Sequence, residues 1–441
     1  MPIDFFNDKI RLGAARRILS HAAEKLDARF SVRLWDGSLV PLGKNVEPNS
    51  FISINTPQVI STILHAPSLE TIVRLYASGK IDIHTDDFMS FLNAVRQKES
   101  KKRFRNIRKR VLLKEAPIFL LSPGEKVETK HRFDKDETGT RASSRNNRDF
   151  IRFHYDLSND FYALFLDPEM QYSCAYFKDP NHTLEEAQRD KLEMICRKLR
   201  LKPGEKLLDI GSGWGGLICY AAKNYGVISH GVTLSENQYR HTQQKIRTMG
   251  LEGRVTVELK DYRHLDGVYD KIASIGMFEH IGLDDIPAYF SKMNSLLRDR
   301  GVLLNHAITR RAKASKKKFY KIRPAMRLLQ KFIFPGAAFD HIGHSVESME
   351  LNGFEVRDVE SWREHYALTT AAWCRRLHAK RDEAIKLVGA ERYRLWVAYL
   401  GAVSLGFADG TSGICQTVAI KRSSKGFSGL PFTREDWYAG S

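Results

Sequence analysis

LLDIGSGWGG, residues 207–216, decides how this chain is read. Leu207, Leu208 and Ile210 make the short apolar run of a buried strand, a D-x-G-x-G turn follows at once, and a helical stretch is expected from Trp214. Glycines at 211 and 213 let the backbone take conformations that a Cβ resists and let it approach a ligand closely. In open α/β sheets such turns sit at the carboxyl end of the first strand, where ligands bind. The pattern departs from G-x-G-x-x-G because its third glycine comes early, which argues against a pyrophosphate-bearing dinucleotide. A glycine turn alone can equally be structural, so its surroundings decide.

Upstream, Thr183 with Glu186 three residues on forms a capping-box pattern, followed by Leu192, Ile195 and Leu199 at helical spacing. Downstream come VISHGVTL, a helix from Ser235, VTVEL, YDKIASIG, a helix near Asp284, and GVLLNHAI. Strands alternating with helices predict an α/β fold with a parallel, doubly wound sheet. The stretch YLGAVSLGFADGTSGICQTVAIKR reads as a helix, a turn at Asp409-Gly410 and a closing strand. On the other side, SPGEKVETKHRFDKDETGTRASSRNNR (122–148) is almost without apolar residues and reads as a polar linker. It separates a catalytic domain, 149–441, from a smaller N-terminal α+β domain, 1–121, with a turn at Asp36-Gly37 and the segment VRLYASGKIDI.

At 441 residues the chain suits two cores rather than one. Five scattered cysteines without a C-x-x-C pair fit a reducing cytoplasm and offer no zinc or redox motif. The start lacks the apolar run of a signal peptide, and no stretch of 18 apolar residues could span a bilayer, so a cytoplasmic protein is expected. Seventy Lys and Arg against 52 Asp and Glu give +18, which calls for an extended anionic partner, nucleic acid or an acidic membrane surface. The excess gathers in RQKESKKRFRNIRKR (96–110) and TRRAKASKKKFYKIRPAMRLLQK (309–331). In the second, Phe319, Tyr320, Ile322, Met326, Leu328 and Leu329 lie among the cations, the mixture of a segment resting on anionic headgroups, although a solvated helix face would look similar.

The D-x-G-x-G turn resembles the first motif of Rossmann-like class I methyltransferases, which implies S-adenosylmethionine as cofactor. Their second strand often ends in an acid, whereas this one offers Thr233, Ser235 and Glu236. Six ordered blocks, HYDLSNDFYALFLDPEMQYSCAYF, LLDIGSGWGGL, GVTLSENQ, DYRHLD, SIGMFEHIG and YALTTAAW, resemble the cyclopropane-fatty-acyl-phospholipid synthases and the related mycolic acid cyclopropane synthases. The resemblance implies that Tyr155, Tyr172 and Ser173 contact the methionine end of S-adenosylmethionine, with Asp209, Gly211 and Gly213 beneath it. It places Thr233, Leu234 and Gln238 near the ribose and Tyr262 and Arg263 beside the adenine. A buried tyrosine can also serve packing alone.

An isolated alkene is a poor nucleophile and must meet the sulfonium methyl in near-attack geometry within a dry pocket. The resulting carbocation closes to a ring only when a base removes a proton from the added methyl. In the resembling family that base is a bicarbonate ion. Its holders match Cys174 through its backbone, Glu279 as the acid that orients the ion, His306 as the imidazole donor, Ile308 through a backbone group, and Tyr366 as the hydroxyl donor. Taken singly, a cysteine is usually an inert hydrophobe and a histidine after a strand a structural residue. His154 and His280 receive no role, and no metal is required.

The implied substrate is an unsaturated phospholipid acyl chain, reached by a homodimer bound peripherally at the inner face of the membrane. The N-terminal segment APSLETIVRLYASGKIDIHTDD resembles the non-catalytic domain of the longer synthases and favours phospholipid over carrier-bound substrates. A relative ending in a methylene or methyl branch uses the same fold and cofactor. A nucleic-acid methyltransferase would suit the charge but lacks an N-P-P-Y-like motif, and intact cofactor and proton-acceptor motifs argue against a non-catalytic lipid-binding protein.

Overall fold

The computed structural model describes residues 6–96, 109–129, 150, 153–154 and 157–439. Two compact units emerge, one of residues 1–132, 324–328 and 374–402, the other of residues 133–323, 329–373 and 403–441. Residues 324–328 and 374–402, which lie within the expected catalytic domain 149–441, cluster with the first unit.

The first unit carries a four-stranded sheet built from β1 (Ser31–Arg33), β2 (Leu39–Pro41), β3 (Phe51–Ile54) and β4 (Ile81–His84) in the order β2-β1-β3-β4. Only β1 and β3 run parallel. Gly37, with φ of +84°, turns the chain between β1 and β2, where Asp36-Gly37 predicts it. The first residues of the expected linker are tied down: Glu125 accepts from Thr56 at 2.9 Å and pairs with Lys80 at 2.6 Å. Residues 130–148 of that linker and 97–108 of the first basic run lie outside the described residues.

The second unit holds β5 (Lys206–Ile210), β6 (Ile228–Thr233), β7 (Val255–Leu259), β8 (Tyr269–Ile275), β9 (Leu297–Arg310), β10 (Phe354–Ser361) and β11 (Ser412–Lys421). Their order is β10-β11-β9-β8-β5-β6-β7, with β5 to β9 parallel and β11 antiparallel to both its neighbours. This is the doubly wound sheet that the strand and helix alternation predicts. The chain leaves β5 toward β6 and later returns on its other side at β8, which opens a crevice at the carboxyl end of β5. Leu207, Leu208, Ile272, Leu303 and Leu304 are fully buried at the sheet centre, each contributing about 1.5–3 kcal/mol of apolar burial.

Local signals set the flanking helices. Thr183 and Glu186 close the predicted capping box, and the helix Leu184–Leu199 buries Leu192, Ile195 and Leu199. Ser235 caps Glu236–Thr248. The helix after β5 begins at Gly216 rather than at Trp214, because Gly213 and Gly215 hold positive φ and keep the intervening chain in a turn. Among the described residues no helix is long and apolar enough to cross a membrane.

Candidate active site

β5 delivers the chain to Gly211 and Gly213, whose φ angles of +79° and +54° favour glycine. A Cβ on Gly211 would lie 3.1 Å from Met277, whereas one on Gly213 would meet no described atom within 4 Å, so the space beside it is open. The amides of Gly211 and Ser212 both donate to Val232 O at 3.0 Å, which pins the turn to the end of β6. There Thr233 Oγ1 donates to Gln238 Oε1 at 2.7 Å.

These elements wall a cleft at the carboxyl end of β5. Tyr172, Ser173, Asp209, Gly211, Gly213, Thr233, Leu234, Gln238 and Tyr262 all line it. Arg263 does not: its guanidinium is held by Asp261 at 2.7 Å, and it lines a second depression that shares Tyr262. Tyr155 lies outside the described residues.

The resemblance assigned no role to Lys191, Gln171, Trp214, Met277 and His280, which also line the cleft. Lys191 is fully buried, and its Nζ donates to Ser173 Oγ at 3.0 Å and to Gln171 Oε1. Burial lowers its pKa to about 8, against the pull of Asp167, Cys174 and Asp209. Burial pushes Asp209 up to about 7, opposed by Lys191. Burial holds His280 down to about 3, so this ring is neutral.

The five residues matched to the anion cage also come together. Glu279, on the short helix Phe278–His280 after β8, is buried and accepts from the Ile308 amide through Oε1 at 2.6 Å. Cys174, Ile308 and Tyr366 share one apolar cluster with Trp362 and Phe407. The Tyr366 amide donates to Trp362 O at 3.0 Å, and the Cys174 thiol to the same carbonyl at 3.7 Å. His306 packs edge-on against the Trp362 ring, centroids 5.2 Å apart.

Burial raises the Glu279 carboxyl to about 7 and drives His306 well below 6.5. It raises the Cys174 thiol well above 9, so the sulfur is no nucleophile at neutral pH. Two fully enclosed polar atoms, Glu279 Oε2 and His306 Nε2, have no hydrogen-bond partner among the described residues. An unsatisfied buried polar group costs about 1–3 kcal/mol. Glu279 reaches this apolar cluster through the Ile308 amide and His306 through the Trp362 ring, and each leaves one polar atom for a small polar occupant.

In the cationic stretch, Arg311, Lys313, Lys316, Lys317, Lys318, Lys321, Arg323 and Arg327 are exposed. Phe319, read from sequence as part of its apolar face, is instead buried, with the Arg310 guanidinium 3.8 Å from its ring centroid.

Comparison with known proteins agrees with this fold. The family model for mycolic acid cyclopropane synthetase matches residues 142–417. A probable fatty acid methyltransferase of Pseudomonas putida is 35% identical over 95% of this chain and 99% of its own. The cyclopropane-fatty-acyl-phospholipid synthase of Escherichia coli K12 is 41% identical over 58% of this chain and 63% of its own. The crystal structure of mycolic acid cyclopropane synthase CmaA1 complexed with SAH and CTAB superposes with a TM-score of 0.59 at 36% identity, covering 62% of this chain and 98% of that one. With a cleft at the switch point of a class I methyltransferase sheet, and a family model matching more than half its length, the chain belongs to the mycolic acid cyclopropane synthetase family of methyltransferases.

Proposed function

We propose that this enzyme adds a one-carbon unit from S-adenosylmethionine across the cis double bond of an unsaturated phospholipid acyl chain and closes a cyclopropane ring, with bicarbonate as proton acceptor. The observation that carries this reading is the buried pair Glu279 Oε2 and His306 Nε2, each without a partner among the described residues. When bound, S-adenosylmethionine supplies the electrophilic methyl, and bicarbonate takes the proton that leaves this methyl as the ring closes.

The chain's own residues do the rest. Tyr172, Ser173, Asp209 and the Gly211–Gly213 turn hold the donor in the cleft. Glu279 Oε2 accepts the hydroxyl of the anion and so orients it, while His306 and Tyr366 donate to its oxygens. The Ile308 amide already donates to Glu279, so its share is to fix that carboxylate in place. Cys174 acts through its backbone, its thiol being held protonated. The apolar cluster around Trp362 and Phe407 keeps water from the cation.

The exposed cations between Arg311 and Arg323 serve to bind anionic headgroups, which brings the enzyme to the membrane surface peripherally. A second reading, a methylene- or methyl-branched product, is favoured by the near full-length likeness to the probable fatty acid methyltransferase.

The test incubates the purified full chain with S-adenosylmethionine, bicarbonate and vesicles of unsaturated anionic phospholipid. Acyl chains heavier by one CH₂, with upfield ring protons in NMR, support cyclopropanation. Vinylidene protons establish the branched reading, and no lipid product at any bicarbonate or salt concentration refutes both.

A further inference from the structure

His306 sits in a row of polar side chains that crosses three strands. Glu360 of β10 lies opposite Gln416 of β11, and Gln416 lies opposite His306 of β9. Lys198, from the helix Leu184–Leu199, is fully buried over this row. Its Nζ pairs with Glu360, donates to Gln416 Oε1 at 2.8 Å, and stands 5.2 Å from the Trp362 ring centroid, the same ring that His306 meets edge-on.

The direction of each hydrogen bond follows from its chemistry. An ammonium only donates, so the oxygen of the Gln416 amide faces Lys198 and its NH₂ faces His306. Gln416 Nε2 lies 2.9 Å from His306 Nδ1. An amide NH₂ also only donates, so Nδ1 is the acceptor and the neutral ring carries its proton on Nε2. That Nε2 is the atom left without a partner among the described residues in a completely buried ring.

We infer that Gln416, itself oriented by Lys198, is a positioning residue that locks His306 in the Nε2–H tautomer, so that the ring presents a fixed donor to a bound anion. With Nδ1 occupied by the amide and Nε2 already protonated, His306 has no lone pair free to act as base. This inference rests on the anion cage proposed above and assigns its histidine one role, that of donor. The sequence hints at Gln416 as a polar residue between Ile414 and Val418 on the inward face of a closing strand, but gives no sign of its partners.

The test is the tautomer of His306 in the full chain, read from long-range proton–nitrogen spectra of ¹⁵N-histidine protein, with the His306 signals identified by their absence in His306→Asn. The Nε2–H pattern, unchanged from pH 7 to 8.5, is expected. In Gln416→Glu the carboxylate can only accept, so the proton moves to Nδ1 and the pattern inverts. Turnover at pH 8 then falls roughly 10- to 100-fold, the loss expected for one donor to an anion, and recovers as pH falls and the ring gains a second proton. Lys198→Met, which frees the amide to rotate, gives a mixture of tautomers.

An Nδ1–H or doubly protonated ring in the unsubstituted protein overturns the inference without any variant. So does a Gln416→Glu protein that loses activity with an unaltered tautomer and pH profile. If bicarbonate leaves product formation unchanged while the Nε2–H tautomer is observed, the cage reading fails and the tautomer lock stands.

Discussion

Replacing Glu279 by Gln is expected to make the protein more stable and less active at the same time. Burial pushes this carboxyl from an ordinary 4.5 to about 7, while the Ile308 amide pulls it partly back. Below pH 4.5 it is protonated in both the folded and unfolded chain and contributes no pH dependence. Between 4.5 and 7 the unfolded chain releases the proton while the folded chain retains it, so stability falls as pH rises. Above 7 the loss is complete, at about 3 kcal/mol for a displacement of this size.

Glutamine keeps the shape and can still accept from Ile308 N–H, but carries no charge to desolvate. Glu279→Gln is therefore expected to match the unsubstituted protein near pH 4.5 and to exceed it by up to about 3 kcal/mol at pH 8. The assay is urea unfolding of both proteins at half-unit steps from pH 4.5 to 8.5, the difference between them isolating this group. The same substitution removes the charged acceptor at Oε2, about 1.5–3 kcal/mol, or roughly 10- to 150-fold in kcat/KM at pH 8. A stability difference that does not grow with pH, or a variant less stable at pH 8, refutes the reasoning.

Cys174→Ala keeps the backbone and is expected to retain kcat/KM within about threefold. Iodoacetamide at pH 8 should leave Cys174 unmodified in the folded protein by peptide mass spectrometry, because burial holds the thiol protonated; a large loss of turnover would give the sulfur a direct part. Gly211→Ala forces an alanine to φ of +79° with its Cβ 3.1 Å from Met277, a strain of about 1–2 kcal/mol. Calorimetry with S-adenosylhomocysteine should show affinity weakened roughly tenfold, and an unchanged Kd would remove the turn from the site. In the first unit, Asp82 accepts from both Arg381 and Arg394 at 3.1 Å. Asp82→Asn leaves the largely buried Arg394 without its counter-charge and should cost about 3 kcal/mol in thermal or urea unfolding.

The parts of this molecule that were legible in the sequence depend on neighbours along the chain. The capping box at Thr183, the Ser235 cap, the glycine turn after β5 and the turn before β11 each lie within a few residues of the partners that make them. The helix after β5 starts two residues later than Trp214, where the pattern predicts it, since nothing local says that Gly215 also takes a positive φ. Lys191 and Lys198 were missed because QRDKLEMICRKL reads as a solvated charged face. Yet both fall in the stripe set by Leu184, Gln188 and Ile195, where helical spacing predicts burial. Their partners, Gln171, Ser173, Glu360 and Gln416, lie far away in sequence, so no local pattern separates a buried lysine from one whose head reaches water.

Those two lysines bear on what can serve as the base. They stand two turns apart on one helix face, one reaching the cofactor cleft and the other the Gln416–His306 row. After burial itself, the charges of Lys191 and then Lys198 are the largest influences keeping His306 unprotonated. A histidine acting as base here would become a third buried cation in the field of two others, and would have to break its bond from Gln416 to do so. An anion placed between Glu279 and His306 meets the opposite situation: the same field stabilises its charge, and a donor fixed on Nε2 satisfies one of its oxygens. On the reading proposed above, proton acceptance falls to the bound anion and the protein side chains hold it.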